Sequence, residues 1–207
     1  MNLGRRHRRG GPANVCYGIM GRKVKKERKC GMKKYELTDE TLKIGPITMH
    51  RVKSLVAFAG VEVGETGGWV EKEANLDQNG NAWVSGNARV YGNARVYGDA
   101  LVSGNALVSG NAWVSGNKHY MVIGPFGSRD DSITFTRDKK GGIFATVGCF
   151  FGTLAEFRAK VSKTHGDNIH AQAYLLAAQL AELRIDTTPI SDTQKEPTEG
   201  CEKGSAE

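Results

Sequence analysis

The chain has no long apolar run and few cysteines, and each shortage excludes a class of protein. No stretch approaches the 18 or more apolar residues of a membrane-spanning helix, and no apolar segment follows the basic N-terminus as it would in a secretory signal. The four cysteines form neither a Cys-x-x-Cys pair nor a cluster with zinc-binding spacing. Scattered cysteines are typical of reduced thiols, so we expect a cytoplasmic protein without a metal site or a membrane contact.

Net positive charge is absent beyond position 31 of the chain. Residues 1–31 hold ten Lys and Arg and one Glu, which gives +9, whereas the rest of the chain holds 19 basic and 21 acidic residues, which gives −2. A basic segment can bind nucleic acid by neutralising phosphates. The alternative is an extension upstream of a start at Met32, and the sequence leaves both hypotheses open.

A six-residue repeat fills residues 80–117, which read GNAWVSGNARVYGNARVYGDALVSGNALVSGNAWVSGN. Glycine at every sixth position disfavours a helix, since each costs about 1 kcal/mol there. Alternating Ala and Val share one face of a strand. A meander of hairpins would invert that face at every two-residue turn. A coil that always bends the same way keeps the face inside, and three hexads then close one triangular turn, with Gly and Asn or Asp at corners that need positive φ.

This coil predicts its own core and its own strand pairing. Residues three hexads apart should pair through backbone hydrogen bonds, because they occupy the same place in successive turns. The predicted core positions are the Ala and the Val of each hexad: Ala82, Val84, Ala88, Val90, Ala94, Val96, Ala100, Val102, Ala106, Val108, Ala112 and Val114.

Units such as VSGNAR and VYGDAL resemble the hexapeptide-repeat family, which forms left-handed parallel β-helices. Val matches the family's aliphatic position and Ala its small position, whereas Ser or Tyr stands where the family often has Gly, Ala or Asp. The resemblance implies a β-helix of the kind that often assembles as a trimer. The segments MKKYEL, GGWVEKE and THGDN, together with the hexads, also resemble uncharacterised prophage-encoded proteins with GNARVYGDA repeats. That similarity implies the architecture and a host-cell cytoplasm, and no activity.

The predicted fold is mainly β, a short parallel β-helix (solenoid) of hexapeptide repeats with a small C-terminal α+β cap. The cap consists of a hairpin around KKGG and two helices, and it should cover one end of the coil. The predicted organisation is a basic disordered tail at 1–32, short strands at 33–79, the coil at 80–117, the α+β module at 118–186 and a disordered tail at 187–207.

Both predicted helices show a helical spacing of apolar residues. Thr153 with Glu156 three residues later is a capping box, which starts the first helix. The second helix covers roughly residues 168–184. Its apolar stripe consists of Ile169, Ala173, Leu176, Leu180 and Leu183.

Histidine is absent from the hexads, which bears on catalysis. The resembling families include acyltransferases with a catalytic His at a subunit seam and proteins that hold zinc with three His. The weak catalytic candidates here are His119, directly after the last hexad, and His165 and Asp167 in KTHGDNIH. The alternative hypothesis is structural: His119 begins a strand, and Asp167 caps the second helix.

Two function classes remain open. The first is a non-enzymatic scaffold for binding or assembly, whose partner would be a host protein or a small molecule, with no cofactor. The second is a diverged acyltransferase that uses acetyl-CoA. The absence of a hexad histidine and of long loops in the coil favours the first class.

The variable hexad position should point outward, and it predicts an association surface. Trp83 lies above Leu101 in the same stack, with Tyr91 and Tyr97 at the next outward position. An aligned apolar pair on a flat sheet indicates a contact surface. We expect a homo-oligomer, with a trimer favoured; the alternative is a monomer whose flanking segments cover this face.

Overall fold

The computed structural model describes residues 32–127 and 130–190. The predicted tails fall almost entirely outside these residues. The described part is mainly β, with two helices at its C-terminal side, neither of which is long and apolar enough to cross a membrane. The strands are β1 (Tyr35–Ile44), β2 (Ile47–Ser54), β3 (Thr66–Val70), β4 (Trp83–Val84), β5 (Arg89–Val90), β6 (Arg95–Val96), β7 (Leu101–Val102), β8 (Leu107–Val108), β9 (Trp113–Val114), β10 (Tyr120–Phe126), β11 (Asp131–Arg137), β12 (Ile143–Val147) and β13 (Phe150–Thr153), and the helices are α1 (Leu154–His165) and α2 (Ile169–Arg184).

The repeat segment (residues 80–117) consists of six short strands that pair in parallel with the strand three hexads away. Strand β4 pairs with β7, β5 with β8 and β6 with β9. The pairing is therefore the one that three hexads per turn predict. Strand β3 also pairs in parallel with β5, but Trp69 lies opposite Arg89, which is two positions more than three hexads. The two extra residues are accommodated between β3 and the first hexad.

The Ala and Val positions of all six hexads are buried. They form one core with Tyr35, Val52, Val70 and Leu76 from the preceding residues. Strands β1, β2 and β3 are antiparallel neighbours, and they join the repeat segment through β3 to give a mixed five-stranded sheet. The lead-in strands thus extend the core of the repeats.

The corners of the repeat segment divide two tasks between Gly and Asn. Each hexad Gly has a positive φ, between 63° and 69°, which a residue without Cβ adopts at no steric cost. The prediction that Asn and Asp also need positive φ is wrong, since Ala59 and Asp130 are the only non-glycine residues in the described ranges with positive φ. The side-chain amides instead connect successive turns: Asn81 donates to Asp99 at 2.9 Å, Asn87 to Asn105 at 3.4 Å and Asn93 to Asn111 at 3.3 Å.

The N-terminal end of the repeat segment is covered by the preceding residues. The buried Lys34 ammonium donates to the carbonyl of Ala82 at 2.7 Å, and the Tyr35 hydroxyl donates to the carbonyl of Leu76. Burial raises the pKa of the Tyr35 hydroxyl well above its ordinary value. Phe58 packs edge-on against Trp83, with ring centroids 5.5 Å apart.

This cover corrects the predicted association surface. Trp83 is only 1% exposed, because Phe58 and the N-terminal strands bury it, whereas Leu101 is 46% exposed. Tyr97 is also buried, and Tyr91 is half-buried. Trp83 and Leu101 therefore do not form an exposed stripe, because flanking segments cover the tryptophan.

A four-stranded antiparallel sheet, ordered β10-β11-β12-β13, covers the other end. Thr134 accepts the backbone N–H of Leu107 at 2.9 Å, and the Tyr120 hydroxyl donates to the carbonyl of Leu101 at 2.7 Å. Ile133 and Phe135 alternate with Thr134 in β11 and pack in a second core with the helices. The sheet, which includes the predicted hairpin, thus contacts the repeats, and the helices pack on its opposite face.

Helix α1 confirms the predicted capping box. The Glu156 carboxylate accepts the backbone N–H of Thr153 at 2.8 Å, and the Thr153 hydroxyl accepts the N–H of Glu156 at 3.3 Å. Helix α2 begins one residue later than predicted, because Asn168 and not Asp167 is its cap: the Asn168 side chain accepts the N–H of Ala171 at 3.0 Å.

Candidate functional site

A groove of about 500 Å³ lies where the repeat segment meets the C-terminal sheet. Three parts of the chain line it: the short 3-10 turn Glu73–Asn75 that precedes the repeats, the outer surface of β6 and β9, and the turn between β11 and β12. The side chains that give it chemical character are Lys72, Asn75, Arg95, Trp113, Lys139 and Lys140.

Two cations of this groove lie near the ring of Trp113. The guanidinium carbon of Arg95 is 5.5 Å from the centre of the indole ring, and the Lys139 ammonium is 5.3 Å from it. Arg95 and Trp113 are directly paired across β6 and β9, so the repeat geometry itself places one over the other. Tyr97 packs edge-on against the indole at 5.6 Å and supports it from the side. Attraction between a cation and an aromatic ring, about 0.5–1 kcal/mol at an exposed site, thus holds both positive charges beside one ring.

The turn between β11 and β12 presents two positive charges to the groove, those of Lys139 and Lys140. The Asp138 carboxylate accepts the backbone N–H groups of Lys140 and Gly142 at 2.9 and 2.7 Å, so it is engaged inside its own turn. This arrangement fixes both lysines at the tip of the hairpin. The DKKGG segment, which the sequence predicts as a turn, therefore also supplies charge.

The base of the groove is polar and well connected. The Asn75 side-chain amide donates to the carbonyls of Gly92 and Ala94 at 3.2 and 2.8 Å, and the Glu71 carboxylate accepts the N–H of Gly92 at 2.6 Å. These bonds join the residues before the repeats to the corner that precedes Arg95. The corner is consequently held in place before any ligand arrives.

The groove carries an excess of positive charge. Four cationic side chains and one carboxylate line it, and the carboxylate is that of Asp138. The ion pairs Lys33–Glu73, Arg51–Glu40 and Arg158–Glu182, which lie within the described ranges, involve none of Lys72, Arg95 and Lys140. The lining described here contains no histidine, cysteine or serine, so the groove is suited to binding an anion and offers no nucleophile of these types.

His119, the first weak catalytic candidate, lies outside this groove. Its Nδ1 accepts the backbone N–H of Ser115 at 3.1 Å and lies 3.0 Å from the Ser115 hydroxyl. Burial, and then the positive charge of Arg137, lower the pKa of His119 below its ordinary value. The neutral ring therefore carries its proton on Nε2 and uses its basic nitrogen inside the protein, which makes it a link between the last hexad and β10.

His165 and Asp167, the other candidates, lie at the junction of α1 and α2. The ring of His165 packs against Tyr174 at 5.4 Å, and His170 lies 6.1 Å away. Asp167 is exposed, and its backbone carbonyl accepts from the side chain of Gln172 at 3.2 Å. Across residues 32–127 and 130–190, no group of three His, Cys, Asp or Glu is placed to hold a metal ion. The structure assigns these residues contacts within the helix pair.

Sequence reasoning missed the groove because its parts come from three separate segments. One signal was present: Arg95 and Trp113 occupy the same outer position of hexads that are one full turn apart. Lys139 comes from the hairpin turn after β11, and it reaches Trp113 only because β10 and β11 fold back over the repeats.

Comparison with known proteins identifies the repeat segment. The YdcK Beta solenoid repeat family matches residues 82–98, 88–104 and 100–116. No curated protein matches the chain. The chain is accordingly a β-solenoid repeat protein, and the match concerns the repeat segment alone.

Proposed function

We propose that this β-solenoid repeat protein is a non-enzymatic binding module whose groove holds a small, phosphate-bearing ligand. The observation that supports the proposal is the cluster of Arg95, Trp113 and Lys139. A bound anion would be attracted by this cluster and by Lys72 and Lys140, which lie in the same lining.

The chemistry of the groove favours phosphate among the anions. A guanidinium donates two parallel hydrogen bonds to a phosphate, and ammonium groups add point charges that suit a multiply charged group. The volume of about 500 Å³ falls in the range of small-molecule sites, about 300–1,000 Å³. The side-chain amide of Asn111, which also lines the groove, can orient a hydroxyl or carbonyl group of the same ligand.

The proposal includes the finer architecture of the repeats. The hexads would form a closed, left-handed triangular coil, as in the hexapeptide-repeat family that they resemble. The support is the pairing of strands three hexads apart, which occurs in three separate pairs, and the burial of every hexad Ala and Val. A prophage origin and a place in the host-cell cytoplasm rest on the repeat sequence alone and are proposed with it.

Calorimetric titration of the full chain with ATP and with tripolyphosphate tests the ligand class. We expect both to bind, and Arg95→Gln and Lys139→Gln each to weaken binding about tenfold, the effect of losing roughly 1.4 kcal/mol. The matched control is Arg89→Gln, since Arg89 occupies the same hexad position one repeat earlier and pairs with Leu107 in a different pair of strands.

The control also separates the groove from residues 1–31, whose +9 charge attracts any polyanion. Binding to that segment would be equally strong in all three variants. Equal affinities across the variants, or no heat with either probe, would exclude the proposed site.

The alternative, an acyltransferase that uses acetyl-CoA, is tested in the same preparation. Acetyl-CoA carries phosphates and an adenine ring, so it could bind the groove without reacting. Release of free CoA thiol above the uncatalysed rate, measured with a panel of amino sugars and amines, would overturn the non-enzymatic proposal. We expect no release, because the basic nitrogen of His119 is engaged by Ser115.

A further inference from the structure

Helix α2 presents Leu176, Leu180 and Leu183 to solvent and four of its five alanines to the protein. Ile169, Leu176, Leu180 and Leu183 are 70%, 64%, 47% and 86% exposed. The buried side of the helix consists of Ala171, Tyr174, Ala177, Ala178 and Ala181. The predicted apolar stripe is therefore real, but it lies on the outer face of the molecule. An aligned row of large apolar side chains on one helix indicates a contact surface.

The exposed row has the spacing of a two-helix seam. With Ala173, the row follows intervals of four, three, four and three residues, which is the a/d pattern of a coiled coil. The flanking Gln172 and Gln179 are neutral, so two copies of this face would meet without like charges along that side. We call Ile169, Ala173, Leu176, Leu180 and Leu183 the α2 seam.

The C-terminal residues of this sequence do not suit the α2 seam. Residues 191–207 contain no Val, Leu, Ile, Met or aromatic residue that could fill it.

We propose that the α2 seam binds the α2 seam of a second copy in antiparallel orientation, with the twofold axis beside Leu176. This register places Leu176 against Leu176 of the second copy and Ile169 against Leu183, with the small Ala173 within one residue, about 1.5 Å along the axis, of Leu180. A small residue opposite a large one lets the two helices approach evenly along their length. A parallel register would instead place Ala173 against Ala173 and leave a gap beside the exposed leucine pairs.

The size of the seam limits the interface. Four large side chains on one helix contribute most of it, and they are 47–86% exposed. A standard stable interface buries about 800 Å² per partner. We therefore expect a dimer that dissociates at micromolar concentration and whose measured mass rises with protein concentration.

Sedimentation of the full chain across a concentration series tests the dimer. Wild type should move from monomer mass to dimer mass, and Leu176→Glu should stay monomeric at every concentration, because two carboxylates would meet near the axis. Leu176 is exposed, so this variant should melt within about 2 °C of the wild-type monomer. The matched control is Val63→Glu, which places the same charge at a comparably exposed apolar site before β3 and should leave the dimer unchanged.

Disulfide cross-linking tests the register. In a chain whose four cysteines are replaced by serine, Leu176→Cys should cross-link with itself. Leu183→Cys should not, but it should cross-link when mixed with Ile169→Cys. Wild type that is monomeric at 100 µM (about a hundred times the concentration scale of a micromolar dimer), a trimer mass, a Leu176→Glu dimer, or self-cross-linking of Leu183→Cys would each overturn the proposal.

Discussion

A single charge inside the repeat segment should disrupt it, and Val96 is the position where the effect can be worked out best. Its side chain is buried, and its strand lies between Leu76 of the preceding turn and Val114 of the following turn. Val96→Ala removes two methyl groups at about 0.8 kcal/mol each and leaves a small cavity, so it should cost roughly 1.5–3 kcal/mol. Val96→Asp loses the same contacts and in addition buries a carboxyl group without a partner, at roughly 2–7 kcal/mol.

These values are large against the stability of a domain of this size, about 5–15 kcal/mol. At roughly 2–4 °C per kcal/mol, Val96→Ala should lower the melting temperature by about 4–10 °C. Val96→Asp should lower it by more than about 15 °C or abolish the cooperative transition. The measurement is thermal unfolding of the full chain by circular dichroism, with calorimetry to establish whether one transition or two is lost.

The matched control places the same charge on the outer side of a strand in the next hexad. Leu101→Asp should cost less than about 1 kcal/mol, because Leu101 is nearly half exposed and its contacts to Tyr120 and Asn117 use backbone atoms. A Val96→Asp protein that melts within about 3 °C of wild type would show that the Val row is not enclosed. Equal losses of unfolding free energy in Val96→Asp and Leu101→Asp would show that the alternation of Ala and Val does not predict which side chains are buried.

Three further predictions concern the flanking residues. Asn168→Ala should cost about 1 kcal/mol of unfolding free energy in a melt, while Asp167→Ala should be nearly neutral, because Asn168 accepts the N–H that caps α2; the reverse order would return the cap to Asp167. Wild type should lose stability relative to His119→Asn as the pH falls below about 6.5, since the lowered pKa of His119 makes the unfolded chain bind the proton first. Asn is chosen because it keeps an acceptor for the Ser115 N–H. Melting temperatures that change in parallel for the two proteins between pH 7 and pH 5 would contradict this. Deleting residues 1–31 should leave the melting temperature unchanged, because no apolar pattern ties that segment to a core, and a large loss would show that it is packed.

The buried positions and the strand pairing of the repeat segment could be predicted, because the same local pattern of Ala and Val occurs in six successive hexads. The alternation of Ala and Val fixes which side is inside, and the rule that the apolar face must not invert excludes hairpins. The observed pairing of strands three hexads apart is the one that three hexads per turn predict. The corner chemistry is only half accessible, because a sequence cannot show whether Gly or the following Asn takes the positive φ. In the structure the Asn side chain bonds to the next turn, and the Gly takes the positive φ.

Helix α2 shows where local information fails. Its leucine stripe and its alanine stripe both follow helical spacing, so the sequence alone supports either face as the buried one. Hydrophobicity favours the leucines. The alanine face is buried instead, where small side chains let α2 approach its neighbours closely, with Tyr174 reaching Phe157 at 6.0 Å. The choice of face depends on the surface that the helix meets, and that surface is formed by distant strands.

Trp83 departs from its prediction for a related reason. Its hexad position does face away from the core of the repeats, but a side chain on that outer side can still be buried by other segments of the protein. Phe58, from the loop between β2 and β3, closes over it together with β1 and β2. The pattern of a single sequence predicts on which face of a strand a residue lies. It does not predict which distant segments of the chain pack over that face.

The two tryptophans of the repeat segment occupy the same hexad position but have different surroundings. The inner positions are fixed by packing, so only the variable outer position can change at little cost to the core. Trp83 and Trp113 occupy that outer position in the first and last hexads, and each is met by side chains from outside the repeats: Phe58 at one end and Lys139 at the other. At the first end the contact is apolar and closes the core. At the last end it brings cations to an aromatic ring beside an open groove, because Arg95 in the adjacent turn is charged where the neighbour of Trp83 is Leu101. The same hexad position thus serves stability at one end and lines the proposed ligand site at the other, and the difference lies in the residues that contact each tryptophan.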